Sequence, residues 1–236
     1  MGVISLDYIA ENVRTVKERV SKAAARVGKS LQDITIVAAS KTFGIDCITR
    51  AFEEGITHFG ESYAQEATKK IKQATISPIW HFIGHLQKNK VRQVLGHFDV
   101  IQSVDSTELL ERIDRIAGEE CKTPELLIQV NPEGEKQKSG IEPEQVYHIV
   151  TLASRMKNIK IVGLMMIPPF YDNPEMNRRN FRMLYGLYNQ IKAEKIPGVK
   201  FKYLSMGMTD DYEIAIEEGA TMVRIGRAIF GVRRSE

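Results

Sequence analysis

The chain has 236 residues, enough to bury a substantial core as one large domain or two small ones, and its 43% hydrophobic and 27% charged fractions are those of an ordinary globular protein. Its 33 basic against 30 acidic side chains leave a net charge of +3, too small to point to nucleic acid or a membrane surface as a partner. Two cysteines, Cys47 and Cys121, lack metal-ligand or redox spacing, which predicts a reduced, cytoplasmic protein, and no apolar run has the length of a membrane span.

In chain order, the first element reads as a helix. Leu6, Ile9, Val13, Val16, Val20 and Ala24 recur at helical spacing, with Ser5 to cap the start and Gly28 to stop it. From there short apolar runs alternate with longer helical ones, and no low-complexity linker divides the chain. Strands are expected at residues 34–40, 57–60, 80–85, 100–104, 125–130, 161–167, 201–206 and 222–226. The helices between them carry start signals: Ser62 with Gln65 as a capping box, Asp105 or Ser106 ahead of Glu108, Pro143 at a first helical position, Asn173 before Pro174, and Thr209 before Asp210 and Asp211. Gly55, Gly96, Gly118 and Gly219 supply stops. The basic runs Lys69-Lys70-Ile71-Lys72 and Arg178-Arg179 read as solvated helix faces. Eight strand-helix units match a (β/α)8 barrel, typically about 250 residues, better than a doubly wound sheet. The expected fold class is therefore α/β, a single TIM barrel over residues 1–236 with an extra N-terminal helix.

Polar residues of several strands share one parity and lie towards the carboxyl ends: His81 with His85, Ser103 with Asp105, Gln129 with Asn131, Tyr203 with Ser205. A barrel with a polar mouth produces this pattern. The first strand, I-T-I-V-A-A-S at 34–40, is apolar enough to be buried on both faces and leads into Lys41. An amine held there away from water can attack an aldehyde, whereas the same lysine in solvent merely marks a strand end.

Two late segments bear on that choice. L-S-M-G-M-T-D-D at 204–211 places Ser205, Gly207 and Met208 at a turn before a helix, where backbone N–H groups can hold an anion or simply cap the helix. V-R-I-G-R-A at 223–228 brings Arg224, Gly226 and Arg227 to the end of the eighth strand, where Arg224 is either a ligand group or a barrel arginine paired to a carboxylate. In such barrels a phosphate site is often built after strands seven and eight. A phosphate cradle facing a Schiff-base lysine suits an aldehyde that carries a phosphate, as pyridoxal 5'-phosphate (PLP) does. Arg224 would then address the pyridine nitrogen, and because an arginine cannot take a proton the ring would be a poor electron sink.

At these residues the chain resembles the YggS/PROSC family of PLP homeostasis proteins. The likeness runs end to end, through A-A-S-K-T at 38–42, F-G-E-S-Y-A-Q-E at 59–66, W-H-F-I-G-H-L-Q-K-N-K at 80–90, Q-S-V-D-S at 102–106, K-S-G at 138–140, G-L-M-M-I-P at 163–168, and the two late segments extended to Gly231. The resemblance implies the barrel of fold-type III PLP enzymes such as alanine racemase. It implies that Lys41 holds the cofactor as a Schiff base, that Ser205, Gly207, Met208, Gly226 and the backbone of Arg227 form the phosphate site, and that Arg224 meets the ring nitrogen. Ser62 stands where the family often has Asn, and Arg227 where it often has Thr or Ser.

With no second β domain expected after Gly231, the resemblance implies a cytoplasmic, monomeric protein that buffers, protects or delivers PLP to apo-enzymes, without turnover. Two alternatives stand beside it: a PLP-dependent amino-acid racemase, for which Tyr63 and His85 are the candidate second proton donors, and a Schiff-base aldolase using Lys41 directly. His58, His81, His97 and His148 are expected to be structural or surface residues, and Met165, Met166, Met206 and Met208 to fill the barrel near the site.

Overall fold

Short runs of β-branched and apolar residues, each followed by an amphipathic stretch, fold as strand-helix units in a computed structural model that describes residues 6–133 and 139–232. The strands are β1 (Thr35–Ala39), β2 (His58–Glu61), β3 (Ile79–Phe82), β4 (Val100–Val104), β5 (Glu125–Val130), β6 (Lys160–Met166), β7 (Tyr203–Ser205) and β8 (Met222–Ile225). Each pairs in parallel with its neighbours in sequence, and β8 returns to β1 with Thr35 opposite Met222 and Val37 opposite Arg224, closing the barrel. The helices are α1 (Asp7–Arg26), α2 (Ile45–Glu53), α3 (Ala64–Gln73), α4 (Val91–Leu95), α5 (Thr107–Glu119), α6 (Pro143–Ala153), α7 (Arg178–Ala193), α8 (Tyr212–Glu217) and α9 (Arg227–Phe230). Among the described residues no helix is long and apolar enough to cross a membrane.

The core has two parts. Most of it lies between sheet and helices, and a smaller cluster drawn only from strands (Val100, Leu127, Val162 and Met165, with Tyr203 against them) fills the barrel interior. The eighth unit ends in the four-residue helix α9, too short to cover the closing strands. Helix α1 packs on α2, α8 and α9 with Ile9, Val13, Val16 and Val20 buried, so the extra N-terminal helix shields the β8–β1 seam.

Several local expectations shift. Strand β3 stops at Phe82 rather than His85, because the chain turns at Gly84, where a Cβ would lie 2.3 Å from the Ser62 carbonyl oxygen. That packing also keeps Ser62 out of the capping role: α3 starts at Ala64 with Tyr63 at its N-cap and no side-chain cap. Gly118 lies inside α5 against Asn158, and the chain leaves that helix through Glu120 and Cys121, the latter at φ 52°. Ser106 does cap α5, accepting from the Leu109 amide, and Gly28, Gly55 and Gly219 follow their helices at positive φ. The cap expected at Ser5 and the residues 136–138 of the loop after β5 lie outside the described residues.

Candidate cofactor site

The chain leaves β1 through a turn that carries Lys41. Ser40 is fully buried; its amide donates to the Gly60 carbonyl at 2.9 Å and its hydroxyl to Glu61 Oε1 at 2.7 Å. Lys41 follows, half-buried, and Thr42 then takes φ 72°, a left-handed conformation that strains a β-branched residue. The Thr42 amide donates to Glu66 Oε1 at 2.8 Å. Lys70, from α3, donates to the Ser40 carbonyl at 3.0 Å and to Glu61 Oε1 at 2.9 Å, and pairs with Glu66 Oε1 at 2.6 Å. The residues on both sides of Lys41 are thus held by a Glu61–Lys70–Glu66 triad behind the sheet. Burial pushes the Glu61 carboxyl up, with Lys70 opposing, and Glu61 Oε2 has no hydrogen-bond partner among the described residues.

Lys70 corrects an expectation. Its run was to be a solvated face, yet Lys70 is only 8% exposed because it shares the inward face of α3 with Ala64 and Ala67. None of the triad was singled out from the sequence; the Glu66–Lys70 spacing of four on a helix was the available signal. Arg178, by contrast, is tied to Glu175, Glu217 and Glu218 on the surface.

Arg224 lies in the barrel interior, 5% exposed. Its Nη1 donates to Ser205 Oγ at 2.6 Å and its Nη2 to the Met166 carbonyl at 2.7 Å, so its direct partners among the described residues are a hydroxyl and a carbonyl rather than a carboxylate. Burial pushes its guanidinium down to about 10, with Asp211 opposing through space, which leaves it charged at neutral pH. Ser205 Oγ passes its own proton to Gln102 Oε1 at 2.7 Å. Gln102 therefore faces the interior, on the parity of Val100, and the register shift between Ile101 and Val104 interrupts the alternation that pairs Ser103 with Asp105.

The two late segments meet at the mouth. The Arg224 amide donates to the Gly207 carbonyl at 3.0 Å, the Ala228 amide to Thr209 Oγ1 at 3.4 Å, and Arg227 pairs with Asp210. Gly207 sits at φ 89°, and a Cβ there would lie 2.5 Å from that of Ala215, so the turn requires glycine. The Met208 amide donates to Asp211 Oδ1 at 2.7 Å, while Asn177 Nδ2 holds Asp211 Oδ2 at 3.0 Å; that amide is thus engaged within the turn. Gly226 differs from Gly207: its φ is −108° and a Cβ would find only Ala39 atoms, none closer than 3.4 Å. The mouth beside it is open space bordered by β1, two residues before Lys41.

Of the remaining candidates, Tyr63 is 56% exposed, and His85 lies outside β3 with Nδ1 3.1 Å from Asp105 Oδ2 and 3.4 Å from Ser139 Oγ. Of the methionines expected to fill the barrel, Met165 does so, Met166 and Met206 are buried in the core between sheet and helices, and Met208 is 36% exposed. His58 and His81 touch each other, and among the described residues no three His, Cys, Asp or Glu side chains gather as a metal site would need.

Comparison with known proteins gives this arrangement relatives. Residues 4–234 match the family model described as "Alanine racemase, N-terminal domain". A protein of Aquifex aeolicus named "Pyridoxal phosphate homeostasis protein" is 39% identical over 225 residues, covering 95% of this chain and 98% of its own. The structure of PipY from Synechococcus elongatus, solved with PLP bound, superposes with a TM-score of 0.83 at 32% identity over 94% of this chain and 100% of that one. An alanine racemase of Clostridium difficile shares the fold, with a TM-score of 0.75 at 16% identity, this chain covering 58% of its length. The chain belongs to the alanine racemase N-terminal domain family and, within it, groups with the pyridoxal phosphate homeostasis proteins.

Proposed function

We propose that this protein binds PLP at the barrel mouth and serves as a carrier in its homeostasis, buffering, protecting or delivering the cofactor to apo-enzymes rather than turning over a substrate. The names of its relatives and the PLP held by PipY support the ligand. The donor set fits it: an amine on the β1 turn, a guanidinium in the interior of the adjacent strand β8, and open backbone at Gly226 between them. When bound, PLP would supply an aldehyde, and Lys41 is the amine that would hold it. Gly207 and the amides around Gly226 and Arg227 would orient the phosphate, with the Arg227 guanidinium at its edge, while Ser205, its hydroxyl engaged by Arg224 and Gln102, would hold the guanidinium of Arg224 in place. Met208 lends its exposed side chain to the rim.

The observation that favours a carrier over an enzyme in this reading is the environment of Arg224. Its partners are neutral and it stays protonated, so it offers the ring nitrogen a hydrogen bond and no proton, which restrains carbanion chemistry. A monomer in the cytoplasm is the form in which this reading expects it. Borohydride reduction followed by peptide mapping tests it: the pyridoxyl mass should fall on the peptide with Lys41 and vanish in Lys41→Ala. If single amino-acid enantiomers are inverted by the protein and Lys41→Ala abolishes this, the racemase reading replaces the carrier.

A further inference from the structure

The hydrogen bonds of Arg224 do not end at Gln102. Gln102 Nε2 approaches His81 Nδ1 at 2.9 Å and the sulfur of Met222 at 3.2 Å, and His81 Nε2 lies 2.8 Å from His58 Nδ1. Five side chains from β8, β7, β4, β3 and β2 thus form one chain through the barrel, from Arg224 near the mouth to His58 at the amino ends of the strands. Arg224, Ser205, Gln102 and His81 are buried, while His58 is half-buried and lines a groove of about 380 Å³ with Lys17, Thr35 and Thr57.

The chain has a forced direction. A guanidinium only donates, so Ser205 Oγ accepts from Arg224 and its single proton goes to Gln102 Oε1. The Gln102 amide group then points at His81 Nδ1, which must accept. His81 is therefore neutral with its proton on Nε2, and that proton is given to His58 Nδ1. A proton arriving at His58 Nδ1 faces this donor. Accommodating it means reversing His81 and Gln102 in turn, and the reversal stops at Ser205, which would receive two donors and lose its acceptor. Arg224 cannot take part in the reversal, so its grip on Ser205 changes instead.

We infer that Gln102, His81 and His58 are positioning residues for Arg224, through which protonation at the floor of the barrel loosens the hold on PLP at its mouth. The inference rests on the reading of Arg224 as the ring-nitrogen partner. Burial holds both imidazoles below the ordinary histidine value, so the proton-free chain is the neutral-pH state. Around His58, burial and then Lys202 oppose protonation and Asp99 and Glu125 favour it, His58 in turn opposes protonation of His81, and Lys17 across the groove donates to the Glu54 carbonyl.

Linkage fixes the size of the coupling in both directions. If protonated His58 weakens PLP binding tenfold, bound PLP must lower the His58 midpoint by about one pH unit. The test pairs ring-nitrogen NMR of the histidines, with and without PLP, with PLP dissociation rates from pH 8 to 5.5. The expected results are an Nε2-protonated His81, a His58 midpoint that falls on loading, and faster release across that midpoint. The extra pH dependence should be lost in His58→Asn and in Gln102→Leu, or in Gln102→Met should the leucine variant fold poorly. An Nδ1-protonated His81, or release that follows the same pH course in wild type and His58→Asn, overturns the inference. Should PLP fail to bind at all, the reading of the site falls first. The relay is then judged on the free protein, where the Arg224 guanidinium signals must move as His58 titrates in wild type and stay still in Gln102→Leu.

Discussion

Lys41 and Arg224, the two cationic residues on the adjoining strand ends of β1 and β8, are secured in opposite ways. The Lys41 turn is gripped through its backbone neighbours by a charged triad behind the sheet, and Lys41 itself is half-buried. Arg224 is gripped by its side chain, through neutral partners inside the barrel. The triad acts on the backbone neighbours of the first residue, and the hydroxyl and carbonyl partners act on the side chain of the second.

The contrast can be broken by substitution. Lys70→Met should have the largest effect, about 3–5 kcal/mol in a urea unfolding curve, because it leaves Glu61 and Glu66 unpaired in a buried site. A loss under about 1 kcal/mol would mean the triad is not buried as described. Ser205→Ala removes a neutral link and strands Arg224 Nη1 and Gln102 Oε1, which should cost about 1–3 kcal/mol by the same measurement.

Acidity separates the two regions next. The folded-state values of His58 and His81 lie below their unfolded value of about 6.5, so the stability from keeping them neutral is present above that pH and lost as pH falls through the window beneath it. Glu61 and Asp211, pushed up by burial, act in the opposite sense and cancel against a His58→Asn/His81→Gln variant. Wild type should therefore lose thermal stability relative to that variant between pH 7.5 and 5.5. The smallest effect is a gain: Thr42→Gly relieves the left-handed residue and should add up to about 1 kcal/mol, while slowing attachment of PLP if the strain helps present Lys41.

Most of the fold was legible because each strand is a compact apolar run; residues 100–104 and 125–130 coincide with β4 and β5. The positions of Lys41, Arg224, Gly207 and Gly226 at strand ends and turns were legible from the residue types around them. The triad and the relay were not. Lys70 sits in a basic run whose local reading is solvent, and only the packing of α3 on β2 shows it to be buried. Gln102 shares the face of Val100 by plain alternation, and nothing local in the sequence marks that face, rather than the one carrying Ser103 and Asp105, as the interior.

The closing seam of the barrel bears on how the molecule comes into being. Strand β8 meets β1 over four residue pairs but β7 over one, Ser205 with Met222, and the Arg224–Ser205 contact lies across that weaker side. Lys41 belongs to the first unit made and Arg224 to the last, so the pocket has no partial form during synthesis. Whatever bridges them acts as a clasp on a finished ring. Loading with PLP should slow hydrogen exchange in β7 and β8 more than elsewhere, making occupancy a report on completed folding.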